Sequence, residues 1–194
     1  MREFAAHHIP KPELPPLDLS SPHLDLEIGA GQGLHAIHYA KQHPDRHLIA
    51  IEKTHSRFAQ LEQRALNHKD LQNLKIFHAD AVALISHFIA PETLARVFLL
   101  YPCPYPKAKQ ANLRWHNRPF LKNLLEKMKP QAELTVATNL EWYAQEARKA
   151  YSEQWSLEVL EFQPVANTAT PRTHFEKKYL ARNETCWNLR FRKR

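Results

Sequence analysis

Glycine is nearly absent, with three residues in 194. Cysteine is scarcer still: Cys103 and Cys186 alone, too few for a disulfide framework and not spaced for zinc. No run of about 18 apolar residues occurs, so no membrane-spanning helix and no membrane partner is expected. The amino-terminal residues lack the apolar stretch of a secretory signal, and a cytoplasmic protein is the expectation. What remains, 43% hydrophobic and 24% charged residues, is an ordinary globular composition, and the length suffices for one full core.

The net charge is +7, and it is uneven. Pro102 to Lys129 carries seven Lys/Arg against the single acid Glu126, and Arg172 to Arg194 carries eight against Glu176 and Glu184. The remainder of the chain is acidic on balance. Clustered positive charge attracts a phosphate backbone, because each contact releases condensed counterions. A solubilising face is the competing explanation.

Five of the 14 prolines fall within residues 1–22, which are expected to form a flexible arm. Residues 23–194 are expected to form one domain. Strand patterns fall at His23–Ile28, His47–Glu52, Leu74–His78, Leu94–Tyr101 and Ala132–Thr138. Helix patterns alternate with them at Gly33–His43, Ser56–His68, Ala81–Phe88, Leu113–Met128 and Glu141–Tyr151. Two last strands, Leu157–Phe162 and Thr185–Phe191, follow with no helix pattern between them. This alternation predicts an α/β fold: a doubly wound, mostly parallel seven-stranded sheet with helices on both faces. The final pair, lacking a crossover helix, should be antiparallel. Ligands of such sheets sit at the carboxyl ends of the strands, where strand order reverses.

All three glycines lie together, in Glu27-Ile-Gly29-Ala-Gly31-Gln-Gly33, after the first strand. Glycine tolerates positive φ and close approach of a ligand to the backbone. A bare strand-to-helix turn needs one such residue rather than three. The dinucleotide fingerprint G-x-G-x-x-G would require its third glycine where Leu34 stands. The E-x-G-x-G-x-G spacing instead resembles motif I of class I methyltransferases, which bind S-adenosylmethionine. A carboxylate such as Glu27 suits a cofactor bearing an ammonium and a sulfonium. Glu52 ends the second strand, where a carboxylate can accept the ribose hydroxyls. Asp80 ends the third, where the family places an acid near the adenine; capping the next helix is its other possible role.

The fourth strand runs into Tyr101-Pro102-Cys103-Pro104-Tyr105-Pro106-Lys107. Near the end stand Thr173-His174-Phe175-Glu176 and Trp187-Asn188-Leu189-Arg190-Phe191. With the Glu27 loop, these resemble the tRNA (guanine-N7)-methyltransferase family from about residue 24 to 194. Its fourth-strand motif reads F-P-D-P-W-P-K; later motifs read A-T-D-W, matched by Ala137 to Leu140, T-[KR]-F-E, matched by Thr173 to Glu176, and V-W-D-L-x-F, matched by Cys186 to Phe191. The resemblance implies a class I methyltransferase fold with an antiparallel last strand and transfer of a methyl group from S-adenosylmethionine to guanine N7 of tRNA. It implies cofactor contacts from Glu27, Gly29, Gly31, Gly33, Glu52, Asp80 and Cys103, and substrate contacts from Lys107, Asn139, Thr173 and Glu176. The oligomeric expectation is a monomer or homodimer.

Three positions depart from the family pattern. The acid treated as its active-site residue is Cys103 here, its tryptophan is Tyr105, and its second Asp is Asn139. Guanine N7 carries a lone pair and no proton, so its attack on a methyl needs alignment and desolvation rather than a base. A thiol accepts hydrogen bonds weakly, so recognition of the guanine N1–H and amino group passes to another acceptor, with Glu176 the candidate. Cys103 as catalytic nucleophile on a pyrimidine ring is a second reading of Pro102-Cys103; a small residue in the place of an acid is the other. Tyr105 is suited either to stacking on a base or to packing, and Trp115 to core or shielding. His35 and His38 stand at helical i, i+3 spacing without a third ligand, so a solvated face is expected and no metal. Two alternatives to the guanine-N7 enzyme stay open: a non-catalytic binder of cofactor and RNA, and a methyltransferase for another substrate.

Overall fold

The computed structural model describes residues 4–13, 21, 23–68, 70–166 and 170–194. Seven strands form one sheet: β1 (Leu24–Ile28), β2 (His47–Glu52), β3 (Leu74–His78), β4 (Leu94–Leu100), β5 (Met128–Thr138), β6 (Glu158–Pro164) and β7 (Trp187–Arg192). Their order is β3-β2-β1-β4-β5-β7-β6. The first five are parallel, and β7 pairs antiparallel with both β5 and β6. The helices are α1 (Leu34–Gln42), α2 (His55–Leu66), α3 (Ala81–Phe88), α4 (Phe120–Lys127), α5 (Glu141–Lys149) and α6 (His174–Leu180).

The period-2 alternation of a strand decides which face each side chain joins. Leu24, Leu26 and Ile28 of β1 pack with α3, α4 and α5 through Leu84, Leu121, Leu124, Tyr143 and Ala147. The opposite face of the sheet carries Leu48, Ala50, Phe98 and Leu100, covered by Ala36, Tyr39 and Leu61 of α1 and α2. Asp25 and Glu27 of β1 point to this second face and are buried, which is tolerated because both are paired. Asp25 accepts from Tyr39 and from both Nε and Nη2 of Arg46, each at 2.6 Å. Burial and the neighbouring Asp25 push the Tyr39 hydroxyl up to about 12.

Three elements differ from the sequence expectation by more than two residues at a boundary or in their existence. The helix expected at Leu113–Met128 begins at Phe120, preceded by 3-10 turns at Ala108–Leu113 and Trp115–Asn117. Pro119 is the reason: a proline starts a helix but does not sit inside one, and it holds Arg118 extended at φ −76°, ψ 134°. Strand β5 begins four residues early, at Met128. A short helix, α6, occupies the connection between β6 and β7 where no helix was expected, although the two strands are antiparallel as anticipated.

Half of the stretch expected to be an arm lies outside the described residues. Its residues 4–13 rest on α3 and α4: Phe4 meets Phe120 edge-on at 5.3 Å, and His87 Nε2 lies 2.7 Å from the carbonyl of Ile9.

Candidate active site

Strand order reverses between β1 and β4, which opens a crevice at their carboxyl ends. The loop after β1 is held under this crevice by Gly29 and Ala30, whose N–H groups both donate to the carbonyl of Ile51. All three glycines have positive φ: 76° at Gly29, 58° at Gly31 and 82° at Gly33. Their surroundings differ. A Cβ at Gly29 or Gly31 would meet nothing within 4 Å, whereas one at Gly33 would stand 2.2 Å from Leu61 Cδ1. Two glycines thus leave space above the loop, and the third lets α1 start against α2.

That space is a cavity of about 220 Å3. Glu27, Gly29 and Gly31 line one side, and Thr173, Phe175 and Lys178 of the α6 region line the other. Glu27 is 2% exposed, and its Oε2 lies 3.0 Å from Nδ1 of His35. His35 is itself buried, in ring contact with Tyr39 and Phe98. The solvated face expected for the histidine pair therefore holds for His38 and not for His35, whose inward position follows from packing α1 over β1.

Glu52 and Asp80 lie at the ends of β2 and β3, beyond the lining of this cavity. Glu52 fixes the glycine loop: Oε2 accepts from Gly31 N at 2.9 Å and Oε1 from Thr54 N at 2.6 Å. Each oxygen keeps one lone pair for a ligand hydroxyl. Asp80 caps α3 through Val82 N and Ala83 N and pairs with Lys53 at 2.7 Å. Burial opposes its ionisation, but Lys53 and the helix N–H groups outweigh that and hold the carboxyl below its usual range.

The loop after β4 is bracketed by two left-handed residues, Tyr101 at φ 54° and Tyr105 at φ 47°. A bulky residue held there is strained, and such strain gathers at functional sites. Cys103 is exposed on this loop and does not line the cavity. Lys107 is exposed, at the start of the first 3-10 turn. Asn139 donates to Glu184 at 2.8 Å.

The α6 segment is fastened from below. Thr173 caps the helix, its hydroxyl accepting from Glu176 N at 3.0 Å. Glu176 is wholly buried, and both oxygens are engaged: Oε1 accepts from Tyr101 at 2.8 Å and Arg172 Nη2 at 2.6 Å, and Oε2 accepts from Arg172 N at 2.6 Å. Glu176 thereby anchors α6 against the loop after β4. From α2, Arg64 reaches Nε2 of His174, and Arg57 lies 5.5 Å over the ring of Phe175. The sequence does not point to these contacts, and it offers His35 only as half of a solvated histidine pair. The T-x-x-E spacing of a capping box at Thr173 to Glu176 was the available signal for α6.

The cavity suits one end of S-adenosylmethionine on structural grounds: two glycines with free space above them, beside a buried carboxylate able to face an ammonium. Among the described residues, no three His, Cys, Asp or Glu side chains gather to hold a metal ion, and no helix is long and apolar enough to cross a membrane.

A family model described as "Putative methyltransferase" matches residues 22–189. A tRNA (guanine-N(7)-)-methyltransferase of Burkholderia lata is 32% identical over 197 residues, which cover 94% of this chain and 73% of that protein. Two solved structures share the fold. An antibiotic-related methyltransferase has a TM-score of 0.67 at 15% identity, with 93% of this chain and 96% of that one covered. A SAM dependent methyltransferase from Aquifex aeolicus has a TM-score of 0.61 at 14% identity, covering 90% and 84%. Sheet order, switch-point crevice and glycine loop define a class I S-adenosylmethionine-dependent methyltransferase. Within that class, the chain belongs to the tRNA (guanine-N7)-methyltransferase family.

Proposed function

We propose that this chain transfers the methyl group of S-adenosylmethionine to N7 of a guanine in tRNA. The observation that carries the proposal is the glycine-floored cavity beside Glu27, at the strand-order switch of a chain similar to tRNA (guanine-N7)-methyltransferases. S-adenosylmethionine supplies an electrophilic methyl on a sulfonium centre. Glu27 would face its ammonium, Glu52 its ribose and Asp80 its adenine amino group, with the α6 residues excluding water.

The departure at Cys103 is compatible with this chemistry. N7 attacks with its own lone pair, no proton is removed from it, and the protein contributes alignment and desolvation. The basic segments around Lys107 and Lys177 would hold phosphates.

The test is incubation with labelled S-adenosylmethionine and an unmodified tRNA transcript, then identification of the nucleoside by mass spectrometry. The expected product is 7-methylguanosine. Cofactor binding without any methylated nucleoside would overturn the proposal and favour a non-catalytic binder.

A further inference from the structure

Trp142 is the second residue of α5, at the rim formed by the end of β5, and it is 40% exposed. Its neighbours Tyr143, Ala144 and Ala147 are buried, so the helix spends its apolar face on the core and leaves the indole outside it. One side of the indole is backed by the guanidinium of Arg114, 4.9 Å from the ring centroid. Arg114 is itself 8% exposed and fixed at both ends. Nε and Nη2 donate to the carbonyl of Tyr105 at 3.2 and 3.1 Å, and Nη1 donates to Glu146. Glu146 is four residues from Trp142, hence on the same face of α5. It also accepts from His116 Nε2 and Asn117. Burial works against its charge, but the donors from Arg114, His116 and Asn117 prevail and hold it at about 2.

The result is a flat aromatic surface on a guanidinium that cannot pivot, joined through the Tyr105 carbonyl to the loop that carries Cys103. Lys107, Lys109 and Arg118 lie on the same segment. A pre-fixed ring backed by a guanidinium, with further cations on the adjoining segment, is what an unpaired base with its phosphates fits, since every base has a π-face and the ring loses little entropy on stacking. We propose that Trp142 is a stacking platform for an unpaired nucleobase of the RNA substrate, next to the base that is methylated. This rests on the tRNA reading above.

The probes are an unmodified tRNA transcript and single-stranded poly(U), bound at several salt concentrations to wild type, Trp142→Ala and Trp142→Phe. Expected for Trp142→Ala is an affinity loss of about 5- to 150-fold, with Trp142→Phe close to wild type. The salt slope should stay unchanged, because phosphate contacts set it. Affinity for S-adenosylmethionine should also stay unchanged. In the wild type, poly(U) should quench part of the tryptophan fluorescence, an effect lost in Trp142→Phe and independent of how well the alanine variant folds. If wild type binds tRNA but Trp142→Ala binds equally well and poly(U) does not quench, the platform is refuted while the tRNA reading stands. If wild type binds no tRNA, both fall.

Discussion

A methyl group added at Gly33 meets Leu61 at 2.2 Å with φ at +82°, whereas at Gly29 it meets open space at φ +76°. Gly33→Ala should therefore cost about 2–4 kcal/mol in urea unfolding, from left-handed strain plus overpacking. Gly29→Ala should cost only the strain, about 1–2 kcal/mol. Its larger effect should appear in calorimetric titration with S-adenosylmethionine, as weakened binding. Equal stability losses in the two variants would refute the division of roles. The buried pair His35–Glu27 gives a second expectation. His35→Ala leaves a buried carboxylate short of a donor and should destabilise by about 1–3 kcal/mol, with Glu27 less well placed for the cofactor. The glycine loop and Glu27 were legible in the sequence because three glycines had nowhere else to be spent. His35 was not, since i, i+3 spacing does not say which face of α1 lies against β1.

For the elements, local sequence fared best where packing agreed with it. The bounds of β2, β3 and α3 were read residue for residue. It fared worst where one residue or one long-range contact decided. Pro119 divides an otherwise helical pattern: the apolar periodicity runs through it, but the proline holds Arg118 out of the helix. The seven-residue α6 has little core of its own; it exists because Glu176 is pinned by Tyr101 and Arg172. Glu176→Gln should lower global stability by about 1–3 kcal/mol. In hydrogen exchange the loss should be largest in α6 and in the loop after β4. Uniform exchange across the sheet with α6 still protected would contradict the anchoring role.

Across the whole molecule, acid should destabilise the fold in two windows. Burial depresses the ability of His116 to take a proton, so its neutral form is favoured in the fold. Stability is then lost as pH falls below the ordinary histidine value of 6.5. Glu146, at about 2 in the fold against 4.5 ordinarily, contributes stability present above 4.5 and lost as pH falls toward 2. Urea midpoints measured against pH should show both falls, and Glu146→Gln should flatten the lower one. The topology of the sheet followed from strand–helix alternation, but burial of the charged pairs that trim its second face is set by tertiary contact alone. The two basic segments were visible as charge runs. Replacing Lys107 and Lys109 with alanine should weaken tRNA binding and reduce its salt slope by about one unit per lost contact.

If the cavity between the glycine loop and α6 holds S-adenosylmethionine through Glu27, removing the charge of that residue should weaken cofactor binding. Calorimetric titration of wild type and Glu27→Gln tests it most directly, since glutamine can still accept from His35 but carries no charge. Wild type should bind one cofactor per chain, and the variant should bind it about tenfold or more weakly. No binding to wild type, or equal binding to both proteins, would contradict it.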